Sequence, residues 1–202
     1  MQTRTEKAPS RTLGWIGAGR MGYAMAERLA KGGCDLTVWN RTADKAKPLE
    51  KYGAKVARML PDLASKDIVF CMVSTYDDVK EVLGKLLSGP DRPKMIVECS
   101  SISLEGSAQL REFLKGKGVQ YLAAPVSGNA KVIKAGKLTF VVSGPRQAYD
   151  AARPYLDMMG TGSSYVGEGE LARIEEEIIL TPKGAKIISL YPAKELPIAN
   201  PY

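Results

Sequence analysis

Histidine is absent from all 202 residues of the chain. Its absence excludes the Ser-His-Asp and Cys-His nucleophile mechanisms, and it removes the usual zinc sites. Any general acid or base must therefore be Lys, Tyr, Asp or Glu. We accordingly expect no metal site in this protein.

Cysteine is scarce, with Cys34, Cys71 and Cys99 as its three positions. Each lies in or beside an apolar run. An odd number of cysteines without close spacing argues against a disulfide framework. We expect all three to be reduced residues of the core.

Long hydrophobic runs are also missing. No stretch approaches the roughly eighteen apolar residues needed to span a membrane, and residues 1–10 lack the apolar centre of a secretory signal. The sequence predicts a cytoplasmic protein with a flexible tail over residues 1–11 and no membrane partner. An organellar presequence stays open as an alternative, although this tail is short for one and contains Glu6.

The formal net charge of +7 is not concentrated in one segment. Basic residues are spread along the chain and interleaved with acids, which is typical of a solvated surface. We therefore expect no nucleic-acid partner. A basic protein would still attract an anionic ligand such as a phosphorylated dinucleotide.

The most informative stretch begins with an apolar strand over residues 12–16, followed by Gly17-Ala18-Gly19-Arg20-Met21-Gly22. Met21, Met25 and Leu29 then mark one face of a helix. A strand, a glycine turn and a helix in this order are typical of a site for a dinucleotide pyrophosphate. The glycines allow a tight turn and a close approach to phosphate, and the helix N-terminus supplies free N–H groups.

A second predicted strand ends in Asn40-Arg41-Thr42. In a β-α-β unit, an acid at this point holds the ribose 2′-hydroxyl of NAD, whereas a nearby Arg accommodates the 2′-phosphate of NADP. No acid is present here, and Asp35 lies at the wrong end of the strand. The pattern favours NADP over NAD. The alternative is an ordinary surface charge at Arg41 with Thr42 as a helix cap.

Strands and helices alternate through the first 123 residues. The sequence predicts further strands at 55–58, 67–73, 94–99 and 118–123, and helices at 43–52, 77–87 and 104–115. Pro48 should bend or shorten the first of these helices, and Ser103 should cap the last. The alternation predicts an α/β fold with a doubly wound, mostly parallel Rossmann sheet.

Another stretch, Ala124-Pro125-Val126-Ser127-Gly128-Asn129, joins a strand end to a Ser-Gly loop, and Gly136-Lys137-Leu138-Thr139 leads into the next strand. Such a loop can present backbone N–H groups and a hydroxyl to a ligand. The alternative is structural, with a capping serine and a turn glycine.

The glycine turn, the Asn40-Arg41-Thr42 strand end and the Ser-Gly loop with Gly136-Lys137-Leu138-Thr139 together resemble the β-hydroxyacid dehydrogenase family. Its members include 3-hydroxyisobutyrate dehydrogenase, tartronate semialdehyde reductase, glyoxylate and succinic semialdehyde reductases and the 6-phosphogluconate dehydrogenases. The resemblance covers about residues 12–174. It implies an oxidoreductase that transfers hydride between NADP and a small hydroxy acid or aldehyde.

The resemblance also implies roles for individual residues. The substrate carboxylate would be held by Ser127, Gly128 and Asn129, where the family has Ser-Gly-Gly. The cofactor-binding positions are Gly17, Ala18, Gly19, Arg20, Met21 and Gly22 for the pyrophosphate, Asn40, Arg41 and Thr42 for the 2′-phosphate, and Met72, Val73 and Ser100 for the nicotinamide side.

The chain departs from the family at the catalytic lysine, which follows a Gly-x-Gly pattern. Here Gly167-Glu168-Gly169 leads to Arg173 at the lysine position and to Glu177 at the position of a family asparagine. A guanidinium stays protonated, so it donates hydrogen bonds but does not give up a proton. The alternative function is therefore an NADP(H)-binding module that does not catalyse.

The likeness ends near Ile178, and Pro182 interrupts the helix that the family has there. We expect three regions: a tail at 1–11, an NADP-binding domain at 12–166, and an interdomain-helix remnant with an irregular tail at 167–202. The expected partner is a small carboxylate or aldehyde. A homo-oligomer would have to form without the family's helical dimerisation domain, because the sequence predicts a truncated chain.

Overall fold

The computed structural model describes residues 10–127, 130–173, 177–181 and 184–188. Strands and helical segments alternate from β1 to β6, as the sequence predicts. No helix within them is both long and apolar enough to cross a membrane. The strands are β1 (Leu13–Ile16), β2 (Leu36–Trp39), β3 (Lys55–Val56), β4 (Ile68–Cys71), β5 (Met95–Glu98), β6 (Gln120–Ala123), β7 (Val126–Ser127), β8 (Thr139–Ser143), β9 (Gly162–Gly167), β10 (Glu177–Thr181) and β11 (Gly184–Ile188).

Five α-helices lie within the described ranges. Thr75 and Ser103 cap α2 and α3 by accepting hydrogen bonds from the N–H groups of Asp78 and Gly106, so the predicted cap at Ser103 is confirmed. The helices are α1 (Arg20–Lys31), α2 (Tyr76–Leu86), α3 (Leu104–Lys115), α4 (Ala130–Lys134) and α5 (Arg146–Met159).

One predicted helix differs in the structure. Residues 43–52 form two 3-10 segments, Ala43–Lys45 and Lys47–Tyr52, instead of one α-helix. Pro48 has no N–H to donate and stands at the start of the second segment, where proline is tolerated. The sequence identified the cause of the break but not the helix type.

Nine of the described strands form one sheet. Its first six strands are parallel in the order β3-β2-β1-β4-β5-β6. β8 then runs antiparallel to both β6 and β7 in a single register, so β7 continues β6 beyond Pro125. β9 lies parallel to β8. The fold is therefore the mostly parallel, doubly wound Rossmann sheet that the sequence predicts.

Both faces of the sheet are covered by helices. Alternate residues of each central strand enter opposite clusters: Trp15 and Phe70 pack with α1 and α5, whereas Ile16 and Cys71 pack with α2 and α3. This explains why the strands read as continuous apolar runs. All three cysteines are buried and unbonded to one another, which confirms their predicted place in the core.

The strand order reverses between β1 and β4, because β2 and β3 lie on one side of β1 and β4 to β6 on the other. A crevice opens at the carboxyl ends of strands at such a switch point. The glycine turn after β1 and the loops after β2 and β4 meet there.

The segment after Arg173 differs from the predicted helix remnant and irregular tail. β10 and β11 pair as an antiparallel hairpin. Each strand includes adjacent isoleucines, and β-branched residues favour strands. Residues 182 and 183, which connect the strands, lie outside the described residues.

Candidate cofactor-binding site

The glycine turn depends on two very close backbone approaches. Gly17 has a positive φ of 99°, and a Cβ there would lie 2.1 Å from the carbonyl oxygen of Met72. A Cβ on Gly22 would lie 2.0 Å from the carbonyl oxygen of Gly17. Only glycine satisfies both positions, since a side chain would separate β1 from β4 or the turn from α1.

Gly19 is different, because a Cβ there would meet no atom within 4 Å. It stands at the N-cap of α1 with an ordinary φ of −73°. Among the described residues, no side chain caps this helix, and its first turn contains no acid. The open space and the positive end of the helix dipole suit an anionic group at Gly19.

Asn40 connects the end of β2 to the glycine turn. Its Oδ1 accepts a hydrogen bond from the N–H of Ala18 at 2.7 Å, and its Nδ2 donates to the carbonyl oxygen of Thr42 at 2.8 Å. The amide therefore holds the two predicted phosphate-binding segments at a set distance. This gives Asn40 a structural task besides its predicted contact with cofactor.

The side chains that follow Asn40 are accessible. The Arg41 side chain is 83% exposed, and its Nη1 lies 3.8 Å from Oδ1 of Asp78. Thr42 precedes the 3-10 segment Ala43–Lys45, but its side chain forms no capping hydrogen bond with any described residue. The ion pair of Arg41 is long and exposed, and the Thr42 hydroxyl caps no helix, so both side chains can contact a ligand.

A cleft of about 380 Å³ joins these parts. Its ionised side chains are four cations and two carboxylates, so the balance favours an anionic ligand. Its lining includes ten of the predicted cofactor residues, together with Trp39, Ser74, Val82 and the side chains that sequence reasoning missed: Lys45, Lys85, Asp78 and Glu81. The last three lie on α2, and only the packing of α2 beside the end of β2 brings them here.

The predicted nicotinamide side lies at the ends of β4 and β5. Met72 and Val73 line the cleft, whereas Ser100 is fully buried. The Ser100 hydroxyl accepts a hydrogen bond from the Val73 N–H at 2.9 Å, and its own N–H donates to Oε1 of Glu98 at 2.6 Å. Ser100 thus supports the backbone beside the cleft in this structure.

Arg173 lies in the interior, next to Glu98. Its side chain is 1% exposed and forms a buried ion pair with the Glu98 carboxylate. It also donates to the carbonyl oxygen of Ser100 at 2.6 Å, while its Nε has no hydrogen-bond partner among the described residues. Burial raises the pKa of Glu98, and the guanidinium opposes that rise. In this arrangement Arg173 does not face the cleft.

The predicted substrate loop is described only at its start. Ser127 ends β7, and the backbone there pairs with Thr139 of β8. Gly128 and Asn129 lie outside the described residues. The carboxylate-binding role of all three stays a prediction.

The fold and the cleft define an α/β domain that binds a nicotinamide dinucleotide. Residues 12–167 match the family described as the NAD binding domain of 6-phosphogluconate dehydrogenase. The chain belongs to this family, and its relatives include reductases and dehydrogenases. The predicted family resemblance is thereby confirmed.

Two curated relatives illustrate the range of the family. Glyoxylate/succinic semialdehyde reductase 2, chloroplastic, of Arabidopsis thaliana is 37% identical over 161 residues, which cover 78% of this chain and 45% of the reductase. The cytokine-like nuclear factor N-PAC of Homo sapiens is 33% identical over 160 residues, which cover 77% of this chain and 29% of that protein. The chain thus spans less than half the length of either relative.

Among solved structures, the 3-hydroxyisobutyrate dehydrogenase of Mycobacterium tuberculosis with L-serine superimposes with a TM-score of 0.77. The two proteins are 26% identical, and the match covers 82% of this chain and 57% of the dehydrogenase. The likeness therefore concerns the dinucleotide-binding part of a longer enzyme.

Proposed function

We propose that this chain binds NADP(H) in preference to NAD(H). The observation that supports the preference is the exposed Arg41 beside an uncommitted Thr42 at the end of β2. Asp35, the acid of this strand, lies at its opposite end and pairs with Lys55 at 2.9 Å. Asp78 is close to Arg41, but its carboxylate also accepts hydrogen bonds from Thr75 in the cap of α2.

The pyrophosphate would then lie at the N-terminus of α1, against the open face of Gly19. From there the cofactor would extend past Gly17 towards Met72 and Val73 at the end of β4. This path would follow the cleft, whose lining includes residues of the glycine turn, of residues 40–42 and of residues 72–73. Arg20, Lys45 and Lys85, which line the same cleft, would add favourable charge.

By likeness to its reductase and dehydrogenase relatives, we propose that the domain serves hydride transfer between nicotinamide and a small hydroxy acid or aldehyde. Ser127, Gly128 and Asn129 would hold the substrate carboxylate. The support is the position of Ser127 at the end of β7, which continues β6 past the edge of the sheet where β4 and β5 also end.

A second candidate function is NADP(H) binding without turnover, and the burial of Arg173 favours it. Hydride transfer to a carbonyl needs a proton donor near the carbonyl oxygen. Arg173 is paired with Glu98 in the interior, and a guanidinium is a poor proton donor at any position. One relative is named as a nuclear factor and not as a reductase, so family membership is compatible with this function.

Calorimetric titration with NADPH and NADH tests the cofactor preference. We expect tighter binding of NADPH, and a loss of about 10- to 100-fold in NADPH affinity in Arg41→Glu, since a charge-assisted contact is lost. NADH affinity should change less. The control is Arg58→Glu, which makes the same charge change on an exposed residue outside the cleft. If Arg41→Glu keeps the preference for NADPH, the proposed 2′-phosphate site is wrong.

Turnover separates the two candidate functions. NADPH-loaded protein is mixed with glyoxylate or succinic semialdehyde, and absorbance of the reduced nicotinamide is followed. Oxidation of NADPH supports the reductase, and binding without oxidation supports the non-catalytic module.

A further inference from the structure

We propose that Trp15 is a positioning residue for the cofactor pyrophosphate. Its indole Nε1–H donates a hydrogen bond of 2.8 Å to the carbonyl oxygen of Gly17, and both groups are buried. The bond fixes one peptide of the glycine turn. This inference rests on the proposed dinucleotide site and adds a residue from the core beneath it.

The Gly17–Ala18 peptide is held at both ends. Its carbonyl oxygen accepts from Trp15, and its N–H donates to Oδ1 of Asn40 at 2.7 Å. The C=O and N–H of a trans peptide point in opposite directions within one plane. Two side chains on opposite sides therefore set the rotation of this peptide, which we call the clamped peptide.

The clamp matters because glycine turns are conformationally free. Gly17 begins the clamped peptide and Gly19 follows it. A glycine can adopt many backbone conformations, so neither residue fixes the turn by itself. Ala18 N–H is already used by Asn40, so the N–H groups left for an anion are those that follow it, from Gly19 to Met21, at the start of α1. Holding these donors in place before binding reduces the ordering cost of binding.

Trp15 is itself held rigidly enough for this task. Its side chain is fully buried, and its ring stacks on Phe70 with 5.5 Å between centroids. A Cβ on Gly22 would lie 3.3 Å from Nε1 of Trp15, so the bare glycine leaves room for the indole beside α1. A buried indole N–H needs an acceptor, and the turn carbonyl supplies it.

The test compares Trp15→Phe with the wild-type chain, using calorimetry with NADPH and with 2′-AMP. Phenylalanine keeps an aromatic ring but has no donor. We expect the Kd for NADPH to rise about 3- to 10-fold, as for the loss of one buried hydrogen bond. The Kd for 2′-AMP should stay within about 2-fold, because this ligand has a 2′-phosphate but no pyrophosphate.

Phe140→Leu is the matched control. Phe140 is a fully buried aromatic residue of the same core cluster, on β8. Its substitution should lower stability without changing NADPH affinity. An equal loss of affinity for both ligands in Trp15→Phe, or no loss for NADPH, would overturn the clamp. Failure of the wild-type chain to bind NADPH would overturn the proposed function, and the clamp with it.

Amide hydrogen exchange provides a second test that needs no variant. In the free wild-type chain, the Ala18 amide should exchange more slowly than the amides of Gly19 and Arg20. NADPH should then slow Gly19 and Arg20 while changing Ala18 little. Rapid exchange of the Ala18 amide, or of the Trp15 indole N–H that bonds the Gly17 carbonyl oxygen, would contradict the clamp even if Trp15→Phe does not fold.

Discussion

The three glycines of the turn are needed for different reasons. Gly17 combines a positive φ with close approach to the Met72 carbonyl, and Gly22 allows α1 to pack on the turn. Gly19 has neither constraint, since its surroundings are open. The fold therefore requires Gly17 and Gly22, whereas a ligand would require Gly19.

Gly19→Ala and Gly22→Ala should separate binding from folding. We expect Gly22→Ala to lower the free energy of unfolding by about 1–3 kcal/mol, because its Cβ overlaps the Gly17 carbonyl. Gly19→Ala should change that free energy by less than about 1 kcal/mol, yet weaken NADPH binding at least about 10-fold, by blocking phosphate approach. Urea denaturation and calorimetric titration measure the two effects. Normal NADPH affinity in Gly19→Ala would place the pyrophosphate elsewhere.

At the scale of elements, Asp67 ties together the starts of three strands. Its Oδ2 accepts hydrogen bonds from the backbone N–H and the hydroxyl of Thr12 just before β1, both at 2.9 Å. Its Oδ1 pairs with Lys94, just before β5, at 2.7 Å. The hydrogen bond from Lys94 and that from the Thr12 backbone lower the pKa of Asp67 to about 2.

This lowered pKa predicts an acid-sensitive contribution to stability. The unfolded chain binds the proton near the ordinary pKa of about 3.9 and the folded chain only near 2. The contribution of the Asp67 carboxylate to the free energy of unfolding is therefore present above about pH 4 and is lost as the pH falls towards 2. Asp67→Asn should cost about 1 kcal/mol at pH 7, since solvent screens the partly exposed pair.

Urea denaturation at several pH values measures this difference. The gap between Asp67→Asn and wild type should narrow below pH 4, whereas the exposed Asp91→Asn control should show little effect at any pH. A gap that stays constant down to about pH 2 would contradict the assignment of the pKa to these contacts.

For the molecule as a whole, one sheet supports two hydrophobic clusters. Leu29 of α1 belongs to one cluster and Leu83 of α2 to the other. Both clusters pack on the same central strands. Disruption of either hydrophobic cluster should therefore destabilise the whole sheet, and the domain should still unfold in one cooperative transition.

Leu29→Ala and Leu83→Ala test this cooperativity. Each should lower the free energy of unfolding by about 2–5 kcal/mol, from lost burial and the cavity left behind. Far-UV and near-UV signals should still change together in one transition. Met59→Ala is the control, since Met59 is 61% exposed. Two separate transitions in either variant would show that the clusters are independent.

The sequence predicts much of this fold because most of its signals are local. Continuous apolar runs mark β1, β4 and β5, and the Gly17–Gly22 spacing marks a turn that the structure builds with the expected glycine roles. The sequence does not predict the 3-10 segments at residues 43–52, because proline shows where a helix breaks but not which helix type remains. It does not predict the hairpin after Arg173 either, because the family likeness ends there.

The sequence by itself determined the order of the strands from β1 to β6, the mostly parallel sheet, the glycine turn and the family. Only the tertiary structure decided that Asp78 and Lys85 lie in the same cleft as Arg41, that Arg173 pairs with Glu98, and that Trp15 holds the turn. Arg173 and Glu98 are 75 residues apart in the chain. Such contacts depend on how helices and strand ends pack together, whereas periodicity and turn chemistry act between near neighbours.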